Sequence, residues 1–127
     1  MSSVVLDTSA LVAILRNEKG ADQVKDRLHD ALISSVTLSE VLCKTIDKSG
    51  RLEAARAMLS CLPLDTVPFD AEQAAIAASI HESTLGRGIT FAGRACLALA
   101  LSRQLPILTS DRQWKKLKLG VPVECFL

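Results

Sequence analysis

Hydrophobic positions along this chain fall into short aliphatic blocks that alternate with longer stretches of helical spacing. Val4-Val5-Leu6 is one such block, ending at Asp7, and Ala10, Leu11, Ile14 and Leu15 follow at once at the spacing of one helix face. A second helix is expected over residues 20–28, then a strand at Ala31-Leu32-Ile33. Val36, Leu38, Val41, Leu42 and Ile46 mark a helix that closes near Ser49-Gly50. Residues 51–61 form the next helix, which stops ahead of Pro63 because proline disfavours helical backbone in the residue before it. Thr66-Val67 is a brief strand, and Asp70 caps an alanine-rich helix expected to reach about Leu85, before Gly86 and Gly88. A helix over residues 91–102 and strands over 106–109 and 123–126 complete the chain.

Blocks that are apolar at successive positions, not alternate ones, suit strands buried on both faces, and helices between them allow parallel pairing. The expected fold is α/β: a three-layer α/β/α sandwich around a roughly five-stranded parallel sheet, with residues 1–127 as a single domain. Composition agrees, since 49% of the residues are apolar and 23% charged, which excludes a disordered tail.

A net charge of +1 supplies no global field for nucleic acid, so any RNA contact must come from a local patch. Phe69, Phe91, Trp114 and Phe126 are too few for an extended base-stacking platform, and Trp114 is expected to close the core. Cys43, Cys61, Cys96 and Cys125 show no zinc spacing; each lies in an apolar run and is expected to be a small buried side chain. No basic stretch precedes the first apolar run, and no run approaches the ~20 residues of a membrane span. A cytoplasmic chain with no membrane role is expected.

Ligands of open parallel sheets bind beyond the carboxyl ends of the strands. Asp7 and Asp111 each follow a strand, and Glu40 lies in the first turn or two of the helix after the second strand, so the three carboxylates are expected to converge at one edge. Each also has a structural reading: Asp7 and Asp111 as helix N-caps, Glu40 as the acid of a T-x-x-E capping box with Thr37. Three caps at one edge would repel one another unless a cation offset them. Oxygen-only ligands favour Mg²⁺ or Mn²⁺, which polarise a phosphodiester and lower the pKa of water.

Four segments carry a resemblance: Val5-Leu6-Asp7-Thr8-Ser9-Ala10-Leu11, Val36-Thr37-Leu38-Ser39-Glu40-Val41, Arg94-Ala95-Cys96-Leu97-Ala98-Leu99-Ala100 and Leu108-Thr109-Ser110-Asp111-Arg112-Gln113-Trp114. In this order they resemble the PIN-domain ribonucleases, above all the VapC-type toxins of bacterial toxin–antitoxin pairs. The resemblance implies strand order 3-2-1-4-5 and a Mg²⁺- or Mn²⁺-dependent endoribonuclease that leaves a 5′-phosphate and a 3′-hydroxyl. It also implies a homodimer inhibited by a cognate antitoxin protein, with a structured RNA such as transfer RNA as substrate. Asp7, Glu40 and Asp111 take the acidic positions, and Thr8 or Ser9 supplies a hydroxyl for a ligand or water. Beside them, Arg94 and Arg112 could hold RNA phosphates or neutralise the carboxylates. Leu11, Val12, Leu15, Val24, Leu28 and the helix over residues 52–62 are where an antitoxin helix would lie.

One position departs from the family. An aspartate usually precedes the Arg94 segment, and here the residue is Gly93. The oddity is local too: with Thr90 as N-cap, position 93 is N3, where a capping box takes an acid. The missing carboxylate is expected to weaken metal binding and slow cleavage. Two rivals follow: a PIN-like module that binds RNA or antitoxin without cutting, and a phosphotransferase using Asp7 as nucleophile. The second wants D-x-D, and position 9 is Ser9. His29 and His81 are assigned no catalytic role.

Overall fold

The computed structural model describes residues 2–127, apart from the side chains of residues 47–49. In chain order the elements are β1 (Val4–Leu6), α1 (Thr8–Leu15), α2 (Ala21–Lys25), β2 (Ala31–Ser34), α3 (Ser35–Ser49), α4 (Leu52–Ser60) and β3 (Asp65–Val67). After these come α5 (Ala71–Ser79), α6 (His81–Thr84), α7 (Phe91–Arg103), β4 (Ile107–Thr109) and β5 (Val123–Cys125), with 3-10 turns at Leu28–Asp30 and Arg112–Lys116. Among the described residues no helix is long and apolar enough to cross a membrane.

The sheet has five parallel strands in the order β3-β2-β1-β4-β5, as expected. The reason lies in the short blocks. Successive side chains of a strand point to opposite faces, so Val4 and Leu6 enter one core with Ile33 and Leu108, while Val5 enters another with Leu32 and Ile107. Helices α1 to α4 cover the first face through Leu11, Val24, Val41 and Leu59. On the second, α7 lays down Cys96, Leu97 and Leu99, and Trp114 closes the layer at 4% exposure.

Three expectations about elements need correction. The helix capped by Asp70 ends at Ser79 because Ile80 leaves helical backbone (φ −98°, ψ 7°), and α6 follows as a separate turn. The helix over residues 20–28 shortens to α2, because the chain passes into the 3-10 turn that delivers Leu28 to the core. The surface expected to take an antitoxin helix is not open at Leu11, Val24, Leu28 and Leu59, which are consumed by the core; of the large apolar side chains expected there, Leu52 and Met58 are exposed. Of the cysteines only Cys96 is buried; Cys43 and Cys61 are on the surface and Cys125 is half-buried.

Candidate active site

Strand β1 is central, so the residue that follows it stands in the middle of the sheet's carboxyl edge. That residue is Asp7, 9% exposed. Although it occupies the N-cap position of α1, its side chain makes no capping hydrogen bond. Its Oδ2 accepts instead from the hydroxyls of Ser9 (2.9 Å) and Thr109 (2.8 Å). Burial pushes the Asp7 carboxyl above its ordinary value, opposed by those two hydroxyls and by the nearby backbone N–H groups of Thr8 and Ser9. Burial thus disfavours the ionised form of this carboxylate, a condition a bound cation would relieve.

Thr109 ties strand ends together. While donating to Asp7, its Oγ1 accepts from the backbone N–H of Asp111 at 3.1 Å, and Ser9 Oγ accepts from the N–H of Ser110 at 3.0 Å. Thr8 is buried next to Asp7. Asp111 caps its own 3-10 turn, its Oδ1 accepting from the N–H of Gln113 at 2.9 Å, so the structural reading of that residue holds.

The capping-box reading of Glu40 does not hold. The N-cap of α3 is Ser34, whose side chain accepts from the N–H of Val36, and Thr37 is wholly buried inside the helix with its hydroxyl unpartnered. Glu40 is therefore in the second turn, half-buried, beside an open groove of about 610 Å³ that also touches Ser39, Cys43, Thr90 and Phe91. The groove's electrostatics reach inward: the Cys96 thiol is pushed well up, first by burial and then by the negative charges of Asp7 and Glu40. Both carboxylates therefore act on one buried point on α7, from which Cys96 Sγ donates to the carbonyl of Leu6.

Full convergence is not observed. Among the described residues, no three His, Cys, Asp or Glu side chains stand together as a metal-holding group. The physical reason is that Asp111 is turned onto its own helical turn, and Gly93, buried in the first turn of α7, brings no carboxylate. The donors present are hard oxygens, which suit Mg²⁺ or Mn²⁺; such ions are usually held by one or two carboxylates together with water and substrate phosphate, not by an all-protein cage. Asp7 and Glu40 meet that requirement in kind and number.

The basic candidates are engaged away from the carboxylates. Arg94 lies over the ring of Phe91, 5.9 Å from its centroid, and Arg112 donates to the carbonyl of Leu127 at 2.8 Å. Among the described residues neither forms an ion pair with a site carboxylate. Motif reading passed over Thr109 as a working part of the site, yet a hydroxyl at the last position of a strand two residues before an acid was the available signal.

A model of the PIN domain family matches residues 4–119. The chain belongs to the PIN-domain family. Among solved structures it is similar to the DNA-bound VapBC complex of Salmonella typhimurium (TM-score 0.77, 21% identity, 100% of both chains covered). It is also similar to FitAcB of Neisseria gonorrhoeae (0.72, 22%, 94% of this chain and 95% of that). A third likeness is to VapC20 of Mycobacterium tuberculosis, described as a sarcin-ricin loop cleaving toxin (0.75, 16%, 94% and 99%). At these identities the likeness is one of fold. No curated protein sequence matches.

The hydroxyl relay gives this PIN domain a direct test. Thr109→Val keeps the shape of a buried residue but removes the donor to Asp7 and the acceptor for the N–H of Asp111. Mn²⁺ affinity, read by titration, is expected to fall by roughly 10- to 100-fold, as for other groups that orient a ligand.

Proposed function

We propose that this chain is a VapC-type toxin, a Mg²⁺- or Mn²⁺-dependent endoribonuclease whose metal site is weakened by Gly93. The observation that carries this reading is Asp7: a carboxylate buried at the carboxyl end of the central strand and held by Ser9 and Thr109 at the expense of desolvation. Asp7 and Glu40 hold the ion, with Asp111 as the outer acidic member. When bound, the ion supplies electrostatic stabilisation of the phosphodiester and activation of water. The chain's own residues do the rest: Thr109 and Ser9 fix Asp7, and Thr109 fixes the backbone of Asp111. Arg94 and Arg112, with Ser9, are proposed to meet the RNA; Thr8, 4% exposed, is closed to it. A toxin–antitoxin complex and a loop-cleaving toxin among the similar structures support an antitoxin partner and an RNA substrate; the homodimer is proposed on the family resemblance alone.

A non-catalytic module that binds RNA or antitoxin is the second reading, and its support is Gly93, where the family's usual aspartate is missing. Incubation of a structured RNA with the purified chain separates the two. Cleavage in Mn²⁺ or Mg²⁺ that stops in chelator, leaving 5′-phosphate ends, is the expected result. Tight binding of intact RNA, with no cutting in either metal, would leave only the module.

A further inference from the structure

Gly93 breaks the local rule for a helix's first turn, and its surroundings supply a reason. A Cβ on this residue would lie 2.8 Å from Ile89 Cγ2, 3.2 Å from Trp114 Cζ2 and 3.6 Å from Trp114 Cη2. The first distance is shorter than packed carbons adopt, and the methyl is fixed to the Cβ of a branched side chain with little freedom to retreat. Trp114 is no freer, being 4% exposed within the core that contains Cys96, Leu97 and Leu117. The edge of the indole rests on bare backbone at the start of α7, a contact only glycine leaves open.

Trp114 belongs to the 3-10 turn that begins at Asp111: its N–H donates to the carbonyl of Asp111 at 3.2 Å. The N–H of Asp111 in turn donates to Thr109 Oγ1, and Thr109 donates to Asp7. A packed and hydrogen-bonded path therefore runs from Gly93 through Trp114, Asp111 and Thr109 to Asp7. We propose that Gly93 is a positioning residue: it is the seat of Trp114, and through that ring it holds the turn carrying Asp111 in place beside Asp7, so that position 93 is closed to any side chain while Ile89 and Trp114 keep their present packing. The seat stands on packing alone; its effect on metal rests on the proposed reading of the site.

One consequence changes what restoring the family's acid is expected to do. Gly93→Asp alone displaces Ile89 or the indole and gains no Mn²⁺ affinity, whereas Gly93→Asp combined with Ile89→Ala does. The experiment uses the full chain and Mn²⁺ alone as probe, well below the melting transition. Trp114 is the sole tryptophan, so intrinsic fluorescence reports directly on the seat. Gly93→Ala is expected to red-shift the emission and lower Mn²⁺ affinity at least threefold, and adding Ile89→Ala is expected to reverse most of both effects. Unchanged emission in Gly93→Ala overturns the seat. Shifted emission with unaltered Mn²⁺ affinity overturns the positioning role, and so does a gain in affinity from Gly93→Asp alone. Should the native chain bind no Mn²⁺, the metal reading fails and the positioning role with it, while emission and its rescue by Ile89→Ala still decide the seat.

Discussion

Replacing Asp7 by Asn is expected to abolish RNA cleavage while making the metal-free protein more stable. Loss of activity follows from removing the most constrained of the proposed ligands, and a decrease of at least about 100-fold is expected, since even groups that only orient a ligand cost 10- to 100-fold. The gain in stability follows from burial. Desolvation, the largest influence on Asp7, raises its pKa in the folded state above the ordinary value. Between those two values the native state binds more protons than the unfolded one, so stability falls as pH rises through the folded pKa and the full penalty is present above it. Asparagine is neutral and keeps an oxygen to accept from Ser9 and Thr109. In chelator at pH 7 the melting midpoint of Asp7→Asn is expected to rise by about 2–6 °C, an advantage that shrinks as pH is lowered through the Asp7 titration. Added Mn²⁺ is expected to raise the midpoint of the native protein and not that of the variant. A variant that melts lower than the native chain in chelator would show Asp7 to be a structural anion.

The second large effect is structural. Leu97 is 1% exposed in the core between the sheet and α7. Leu97→Ala is expected to cost about 2–5 kcal/mol through lost apolar burial and the cavity left behind, a large part of the total for a domain of this size. Urea denaturation measures it, and a midpoint unchanged from the native chain would contradict the two-sided core.

Much of this architecture was legible in the residues because apolar blocks buried on both faces have few alternatives. Val4-Val5-Leu6 and Ala31-Leu32-Ile33 each supply both cores, and strand order matched the resemblance. Misreadings arose at helix ends. Ile80 leaves helical backbone, so a run of helix-forming alanines breaks where propensity alone would continue it. Ser34 takes the cap that spacing had assigned to Thr37. Strand-end logic placed Asp7 at the sheet's carboxyl edge, whereas its hydrogen bond from Thr109 joins residues 102 apart in the chain. Gly93 stood out as an anomaly, but the indole resting on it is visible only in three dimensions.

Mn²⁺ titration followed by electron paramagnetic resonance, on the native chain beside Asp7→Asn and Glu40→Gln, reaches the claimed ion site without depending on the RNA chosen. A saturable site in the native chain, lost in Asp7→Asn and weakened in Glu40→Gln, is the predicted result. Equal Mn²⁺ uptake by all three proteins would place any ion elsewhere and contradict a metal centre built on Asp7.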